Sequence, residues 1–457
     1  MPELKAPEQV KTALRLLEHS GFEAYAVGGC VRDSLLGHAP DDWDITTSAR
    51  PEETEAVFRE YRLIETGLQH GTVTVILDGM PLEITTFRVD GDYLDARHPE
   101  SVTFTRTLRD DLARRDFTVN TLCWNEKDGI VDLFGGTADL QNKILRAVGA
   151  PDKRFQEDAL RILRGIRFAA VLGFTLEEET ATSILRNRAL LSAVAKERIR
   201  TEFGKLLCGQ NAASVLERFH EVIEVFIPEL CPLVSCPQNT KYHCFDVFHH
   251  TLAALRNIPP LEIPRLCMFF HDFGKPACRR TDSNGTDHFK GHEQKSAELA
   301  EPILRRLRYD NHTVKTVTER IRIHDTKSAV TKVQAKKLLC KIGVENYRAL
   351  MEIKRADCRG KADPHAIDEK LQKMDALLTE ILTNDECFSL KQLAVNGNDL
   401  KDIGMTDGKN IHDTLESLLL AVIEEQYPNE KTILLKLAKQ RLHCAHRHIQ
   451  NHLEIQS

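Results

Sequence analysis

Gly28-Gly29-Cys30-Val31-Arg32-Asp33, with Asp42-Trp43-Asp44 nine residues further on, decides how this chain is read. A short apolar run, residues 24–27, leads into the paired glycines. Glycine lets a backbone come close to a triphosphate, because no Cβ stands in the way. Two carboxylates at i and i+2 on a strand point to the same side, so Asp42 and Asp44 can share a pair of Mg2+ ions. Taken alone, the same residues also read as a turn followed by a solvated acidic strand end. The rest of the chain supplies what is missing.

Around this stretch the pattern is mixed. Residues 8–19 carry apolar side chains at helical spacing (Val10, Leu14, Leu17) and stop at Ser20-Gly21. Strand-like runs follow at 24–27, 43–46, 72–77 and 82–87, and Asp78-Gly79 between the last two reads as a hairpin turn. Up to about residue 148 this predicts an α+β domain with a small mixed β-sheet. From Pro151 onward β signals fade and helical periodicity runs nearly to the C-terminus, interrupted by Pro/Cys-rich residues 228–237 and a polar loop at 281–287.

Glu83 falls on a predicted strand of the same domain, so a third carboxylate can reach the Asp42/Asp44 pair from an adjacent strand. The polar stretch from Asp90-Gly91-Asp92-Tyr93 to Arg97-His98-Pro99 reads as a loop near that site. In Leu112-Ala113-Arg114-Arg115-Asp116-Phe117-Thr118-Val119-Asn120 the arginine pair suits phosphate, and Asp116 can accept from a ribose hydroxyl. The plainer reading there is a helix end with ordinary salt bridges. In Arg154-Phe155-Gln156-Glu157-Asp158-Ala159-Leu160-Arg161, Asp158 and Arg161 are three apart and project from one helix face. A carboxylate accepts from an exocyclic amine and a guanidinium donates to ring acceptors, so this pair can read the edge of C or A without a template. Glu157 and Arg161 also form an ordinary i,i+4 ion pair. Lys196-Glu197-Arg198-Ile199-Arg200-Thr201-Glu202-Phe203 adds a charged helix that braces its neighbour or touches RNA.

Six motifs therefore occur in order: Gly-Gly-x-Val-Arg-Asp, Asp-x-Asp, Glu-Ile-Thr-Thr-Phe-Arg, Arg-Arg-Asp-Phe-Thr-x-Asn, Glu-Asp-x-x-Arg and Glu-Arg-Ile-Arg-x-Glu. Over roughly residues 20–210 the chain closely resembles the class II tRNA nucleotidyltransferase/poly(A) polymerase family. The resemblance implies that Asp42 and Asp44 bind the metals with Glu83 as third carboxylate, and that Gly28, Gly29 and Arg32 contact the triphosphate. It further implies that Arg115, Asp116 and Asn120 contact ribose and phosphate, while Asp158 and Arg161 select the base. The implied partners are tRNA, CTP and ATP, and the implied cofactor is Mg2+.

A second group of polar residues lies in the helical half: His249-His250, His271-Asp272-Phe273-Gly274-Lys275, His292-Glu293, His324-Asp325 and Asp357. Imidazoles and carboxylates dispersed on helices can converge into a divalent-metal site within a bundle. The pattern resembles the HD phosphohydrolase domain. By that resemblance His250, His271, Asp272 and Asp357 are the metal ligands, with His292 and His324 extending to a second ion, and Mg2+, Mn2+, Ni2+ or Co2+ as the metal. His249 beside His250 leaves the first ligand ambiguous by one residue. The terminal His443-Cys444-Ala445-His446-Arg447-His448 lacks a zinc framework and reads as a basic helix end near RNA.

Of the 457 residues, 42% are hydrophobic and 28% charged, with net charge −6, the balance of an ordinary globular protein. No apolar run approaches the ~18 residues of a membrane span, and residues 1–5 carry no apolar signal core. Twelve cysteines without a Cys-x-x-Cys pair read as reduced thiols in a cytoplasmic protein. The expected organisation is a nucleotidyltransferase head (1–148), a helical neck (149–237), an HD domain (238–370) and a helical tail (371–457). The expected activity is addition of C, C and A to the tRNA 3′ end, with a phosphohydrolase as a second activity. Rivals are a poly(A) polymerase, an enzyme adding only CC or only A, and a hydrolase with a degenerate head.

Overall fold

The computed structural model describes residues 4–67, 71–90 and 102–442. Of the loop read from Asp90 to Pro99, all but Asp90, which ends the strand Arg88–Asp90, lies outside them, as does the histidine-rich end at 443–448. The helix Glu8–His19 forms where the spacing predicts it and buries Val10, Ala13, Leu14 and Leu17. It covers a mixed sheet of strands β1 (Ala24–Val27), β2 (Asp44–Thr47), β3 (Arg62–Gly67), β4 (Thr72–Leu77) and β5 (Met80–Thr86). Their order is β3-β4-β5-β2-β1, continued by Cys123–Asn125 and Gly129–Val131; the sequence pattern gives no sign of these two short strands or of β3.

The β4–β5 hairpin turns through Asp78 and Gly79, whose φ values are 47° and 82°. Both central residues are left-handed, as a tight two-residue turn between twisted strands requires. β2 and β5 pair in parallel with Asp44 opposite Glu83, which brings the third carboxylate alongside Asp44 by strand adjacency; Asp42 lies two residues ahead of β2, because the strand begins only at Asp44 and not at Trp43 as the sequence pattern predicts.

Beyond residue 150 the described residues form helices, connecting loops and only two-residue strands. The segment expected to be a neck contains the helices Pro151–Glu157, Leu160–Leu172, Glu178–Asn187, Lys196–Cys208 and Ala212–Glu224. Helices Val247–Leu255, Glu262–Phe270, His292–Arg306, Asn311–Ile323 and Lys332–Arg359 follow. One apolar core runs from Leu4 to Ala356 without a break, so head, neck and the first part of the bundle share an interior. Phe203 of the neck packs edge-on against Phe269, ring centres 5.4 Å apart. Separate cores hold Ala329–Ile381 and Cys387–Ala438. Among the described residues no helix is long and apolar enough to cross a membrane.

Candidate functional site

In the head, Gly28, Gly29, Arg32, Asp42, Asp44, Arg115, Asp116 and Asn120 line one cavity of about 1000 Å³, with Arg164, Arg167 and Phe168 of the neck opposite. Gly28 has φ +86°, and a Cβ there would lie 3.1 Å from Arg115 Nη1, so both backbone and space demand glycine. Arg32 is buried and donates to Asp33 and to Asn120 Oδ1. Burial, reinforced by Asp42 and Glu83 against the pull of Arg115, pushes the Asp44 carboxyl up to about 6. Carboxylates crowded to that degree are what a divalent cation relieves, so the donor set fits the implied metal. Glu83 is exposed; it stands beside Asp44 in register and outside the cavity lining.

Asp116 is pinned. Its Oδ1 accepts from the Phe117 N–H at 2.8 Å and from Asn120 Nδ2 at 2.9 Å, and its Oδ2 accepts from Arg164 at 2.8 Å. Burial opposes its ionisation, yet Arg164 and Asn120 hold its pKa down to about 2. The guanidinium groups of Arg32, Arg164 and Arg167 lie 5.1, 5.2 and 3.5 Å from the Phe168 ring centre. An aromatic face can be shared by several cations, and the result is a positive wall facing the carboxylates.

Asp158 and Arg161 are placed differently from the single helix face read in the sequence. The helix breaks at Asp158, which closes Pro151–Glu157 before Leu160–Leu172 begins. Its carboxylate accepts from Arg198 at 2.8 Å, while Arg161 donates to Glu157 at 2.8 Å and to the Arg114 carbonyl at 2.7 Å. Neither lines the cavity, although Arg164, one turn beyond Arg161, does. The sequence reading missed Arg164, Arg167 and Phe168; the repeat of arginine at 161, 164 and 167 was the available signal.

In the bundle, His250, His271, Asp272, His292 and His324 converge, and all are at least nine-tenths buried. His250 Nε2 is 2.9 Å from Asp357 Oδ1, and His271 Nε2 is 3.1 Å from Asp272 Oδ2. His292 Nε2 is 3.4 Å from Asp272 Oδ1 and 3.2 Å from His324 Nε2. Each Nδ1 is occupied by a main-chain carbonyl: Gly360 for His250, Met268 for His271, Phe289 for His292 and Ile321 for His324, at 2.7–3.0 Å. A ring that donates from Nδ1 presents its Nε2 lone pair, the arrangement that orients metal-bound histidine. Burial opposes protonation of His271, but Asp272 and Asp357 raise its pKa to about 9, so a cation would have to displace a proton from its Nε2 to gain that lone pair. Burial together with His271 and His292 drives His324 down to about 3. Lys275 and Lys361 neutralise the cluster's carboxylates, at 2.7 Å from Asp272 and 2.6 Å from Asp357. The one-residue ambiguity resolves in position: His250 enters the cluster, and His249 sits outside on Asp246 at 2.8 Å.

Residues 24–146 match the Poly A polymerase head domain, 173–233 the RNA and SrmB-binding site of polymerase A, and 292–438 domain 2 of tRNA nucleotidyltransferases. The CCA-adding enzyme of Geobacillus kaustophilus is 34% identical over 94% of this chain and 96% of its own length. The chain belongs to the CCA-adding enzymes. That of Ligilactobacillus salivarius is 35% identical over 95% of this chain and 98% of its own. The alignment to the enzyme of Lactobacillus delbrueckii subsp. bulgaricus, 48% identical, spans 56% of this chain and 65% of that protein. Among solved structures, the Bacillus stearothermophilus CCA-adding enzyme in complex with CTP superposes with a TM-score of 0.74 at 28% identity, covering 97% of this chain and all of the other. The Thermotoga maritima enzyme complexed with tRNA shares the fold at a TM-score of 0.61 and 22% identity over 96% of this chain and 97% of that one. Family membership thus rests on alignments that run nearly end to end.

Proposed function

We propose that this chain adds C, C and A in turn to the 3′ end of tRNA, using CTP and ATP and no nucleic-acid template. The observation that carries this is the single cavity in which the paired glycines, Asp42 and Asp44, and the Arg115–Asn120 segment meet the neck arginines. The terminal 3′-hydroxyl attacks the α-phosphate in line, and pyrophosphate leaves. Gly28 and Gly29 let the backbone approach the triphosphate, Arg32 and Arg115 hold its charge, and Asp116 and Asn120 orient the ribose. Asp42 and Asp44, with Glu83 at their side, hold the divalent cations, Mg2+ in this reading. Such ions lower the pKa of the attacking hydroxyl and neutralise the leaving group. Asp158 and Arg161 read the base once incoming nucleotide competes with Arg198 and Glu157 for them. Recognition of tRNA rests on shape and backbone contacts, as for duplex RNA generally. The division into head (1–148), neck (149–237), HD domain (238–370) and tail (371–457) belongs to the same reading, as does a cytoplasmic location.

The test uses tRNA ending at the discriminator base, given CTP and ATP singly and together. Two additions with CTP, none with ATP and three with both are expected. A ladder from ATP alone would make the chain a poly(A) polymerase, arrest after two additions with both nucleotides would make it an enzyme adding only CC, and no addition to this end but one to a tRNA already carrying CC would make it an enzyme adding only A.

A second reading is favoured by the Nε2 atoms of His250, His271 and His292, which face Asp272, with His324 Nε2 set 3.2 Å from that of His292. We infer that His250, His271, Asp272 and Asp357 hold one divalent cation and that His292 and His324 extend the site to a second. A metal there supplies a hydroxide near neutral pH, suited to opening a 2′,3′-cyclic phosphate or removing a terminal phosphate. Phosphate release from 2′,3′-cyclic AMP across Mg2+, Mn2+, Ni2+ and Co2+ is the assay. No release with any of them makes the cluster structural.

A further inference from the structure

Helix Leu108–Ala113 carries a fully buried carboxylate, Asp111, to which the transfer reaction as derived gives no part. Its Oδ2 accepts from Thr46 Oγ1 at 3.0 Å, and its Oδ1 accepts from Arg114 Nε and Nη2 at 3.0 and 2.8 Å. Arg115 Nη2 stands 3.5 Å from Oδ2. Burial opposes the charge of Asp111, yet Arg114 and Arg115 hold its pKa below the usual carboxylate range. A buried charge persists only where its partners offset the lost hydration, and two of these partners lead to the nucleotide cavity.

The first is Thr46, two residues beyond Asp44 on β2. Residues two apart on a strand share a face, so this hydroxyl ties Asp111 to the face of β2 that bears Asp44. The second is Arg115, which lines the cavity with Asp44 and whose Nη1 would lie 3.1 Å from a Cβ on Gly28. Its Nε is buried without a partner among the described residues, and no other carboxylate among them lies within ion-pair distance of it. Asp44 still attracts it, since Arg115 pulls the Asp44 pKa down against burial. A guanidinium that swung onto Asp44 would occupy a metal ligand and leave the triphosphate without its cation.

We propose that Asp111 is a positioning residue for nucleotide transfer. It anchors Arg115 by Nη2, off Asp44 and with Nη1 towards the paired glycines, and through Thr46 it fixes that anchor relative to β2. This rests on the reading of the head cavity as the triphosphate site.

The sign of one measurement separates positioning from simple charge. If Asp111 only neutralised Arg115, removing its charge would strengthen the pull on a triphosphate; if it aims the guanidinium, removing it weakens binding. The experiment is calorimetric titration of the full-length protein with CTP in EDTA, where no cation bridges the phosphates. Asp111→Asn is expected to weaken CTP about tenfold, and Thr46→Val, which removes only the tie to β2, about threefold. In the Arg115→Ala background each change should cost less than about twofold, since the residue it acts on is gone. In tRNA extension with Mg2+, Asp111→Asn should raise KM for CTP and ATP by a similar factor and change kcat little, the mark of lost uniform binding. Unchanged or tighter CTP binding by Asp111→Asn, an equal loss in the Arg115→Ala background, or a fall in kcat alone overturns the inference and leaves the nucleotide site standing. If Asp111→Asn does not fold, the same outcomes for Thr46→Val decide. Wild-type CTP affinity in Arg115→Ala removes the triphosphate reading itself, and the inference with it.

Discussion

The head cavity and the helical cluster are both built from carboxylates and cations, but they are held in opposite ways. In the head, Asp42 is exposed and Asp44 half-buried, in a cavity of about 1000 Å³ open to a large ligand. In the bundle, His250, His271 and Asp272 are at most 1% exposed, and every imidazole is oriented through Nδ1. An open site draws its order from what it binds, whereas a closed one is preorganised before anything arrives. The first arrangement suits a nucleotide and an RNA end that must both enter and leave. The second suits a small ion and little more than a phosphate.

The sharpest way to break this contrast is to remove the open site's acids. Asp42→Ala or Asp44→Ala should lower both CTP and ATP incorporation more than about a hundredfold, since even outer-shell partners of a metal are worth 10–100-fold. Near-normal incorporation in either variant would cancel the metal assignment. Asp44 adds a stability reading. Its folded pKa lies above the unfolded value, so its ionised form at neutral pH opposes folding. Asp44→Asn should therefore raise stability by about 1–2 kcal/mol at pH 7 in metal-free buffer, measured by urea denaturation; a loss instead would mean that the carboxylate is favourably paired.

The closed site should fail separately. His271→Ala combined with Asp272→Ala is expected to abolish metal-dependent release of phosphate from 2′,3′-cyclic AMP and to spare tRNA extension. The shared core makes this a real test, because loss of extension would show coupling through Phe203 and Phe269.

A smaller effect is expected at base choice. Arg161→Ala should reduce discrimination among nucleoside triphosphates about tenfold or more, with slower use of CTP and ATP. It also costs about 1–3 kcal/mol of stability, because the Arg114 carbonyl and Glu157 lose a donor. Wild-type selectivity in a folded variant would leave Arg161 as a strut.

A last effect, read in stability, concerns Asp116. Its folded pKa is depressed to about 2, so it contributes stability above the unfolded value of about 3.9 and loses it as pH falls through 2. Asp116→Asn should cost about 2 kcal/mol at pH 7, and the gap from wild type should narrow between pH 5 and pH 2. A gap constant with pH would assign the cost to packing.

What the sequence made legible follows from range. Helix Glu8–His19, the Asp78-Gly79 turn and the strand carrying Glu83 are set by local patterns, and they were read. The short strand Cys123–Asn125 exists because β1 offers it an edge, and Gly129–Val131 because Cys123–Asn125 offers the next, which no three-residue pattern announces. Asp158 and Arg161 share a helical spacing, but Arg198, forty residues away, and the Arg114 carbonyl decide where each points. The cluster residues were legible as types; that their rings turn Nε2 inward was not, because the partners are main-chain carbonyls without a sequence signature.

Those carbonyls carry a further consequence. His271, His292 and His324 each bond to the residue three places earlier in their own segment, Met268, Phe289 and Ile321. The aim of each ligand is thus written within four consecutive residues, in backbone atoms that side-chain substitution leaves in place. Neighbouring side chains can drift through many generations of mutation, and as long as each local turn persists, three of the four imidazoles keep their bearing.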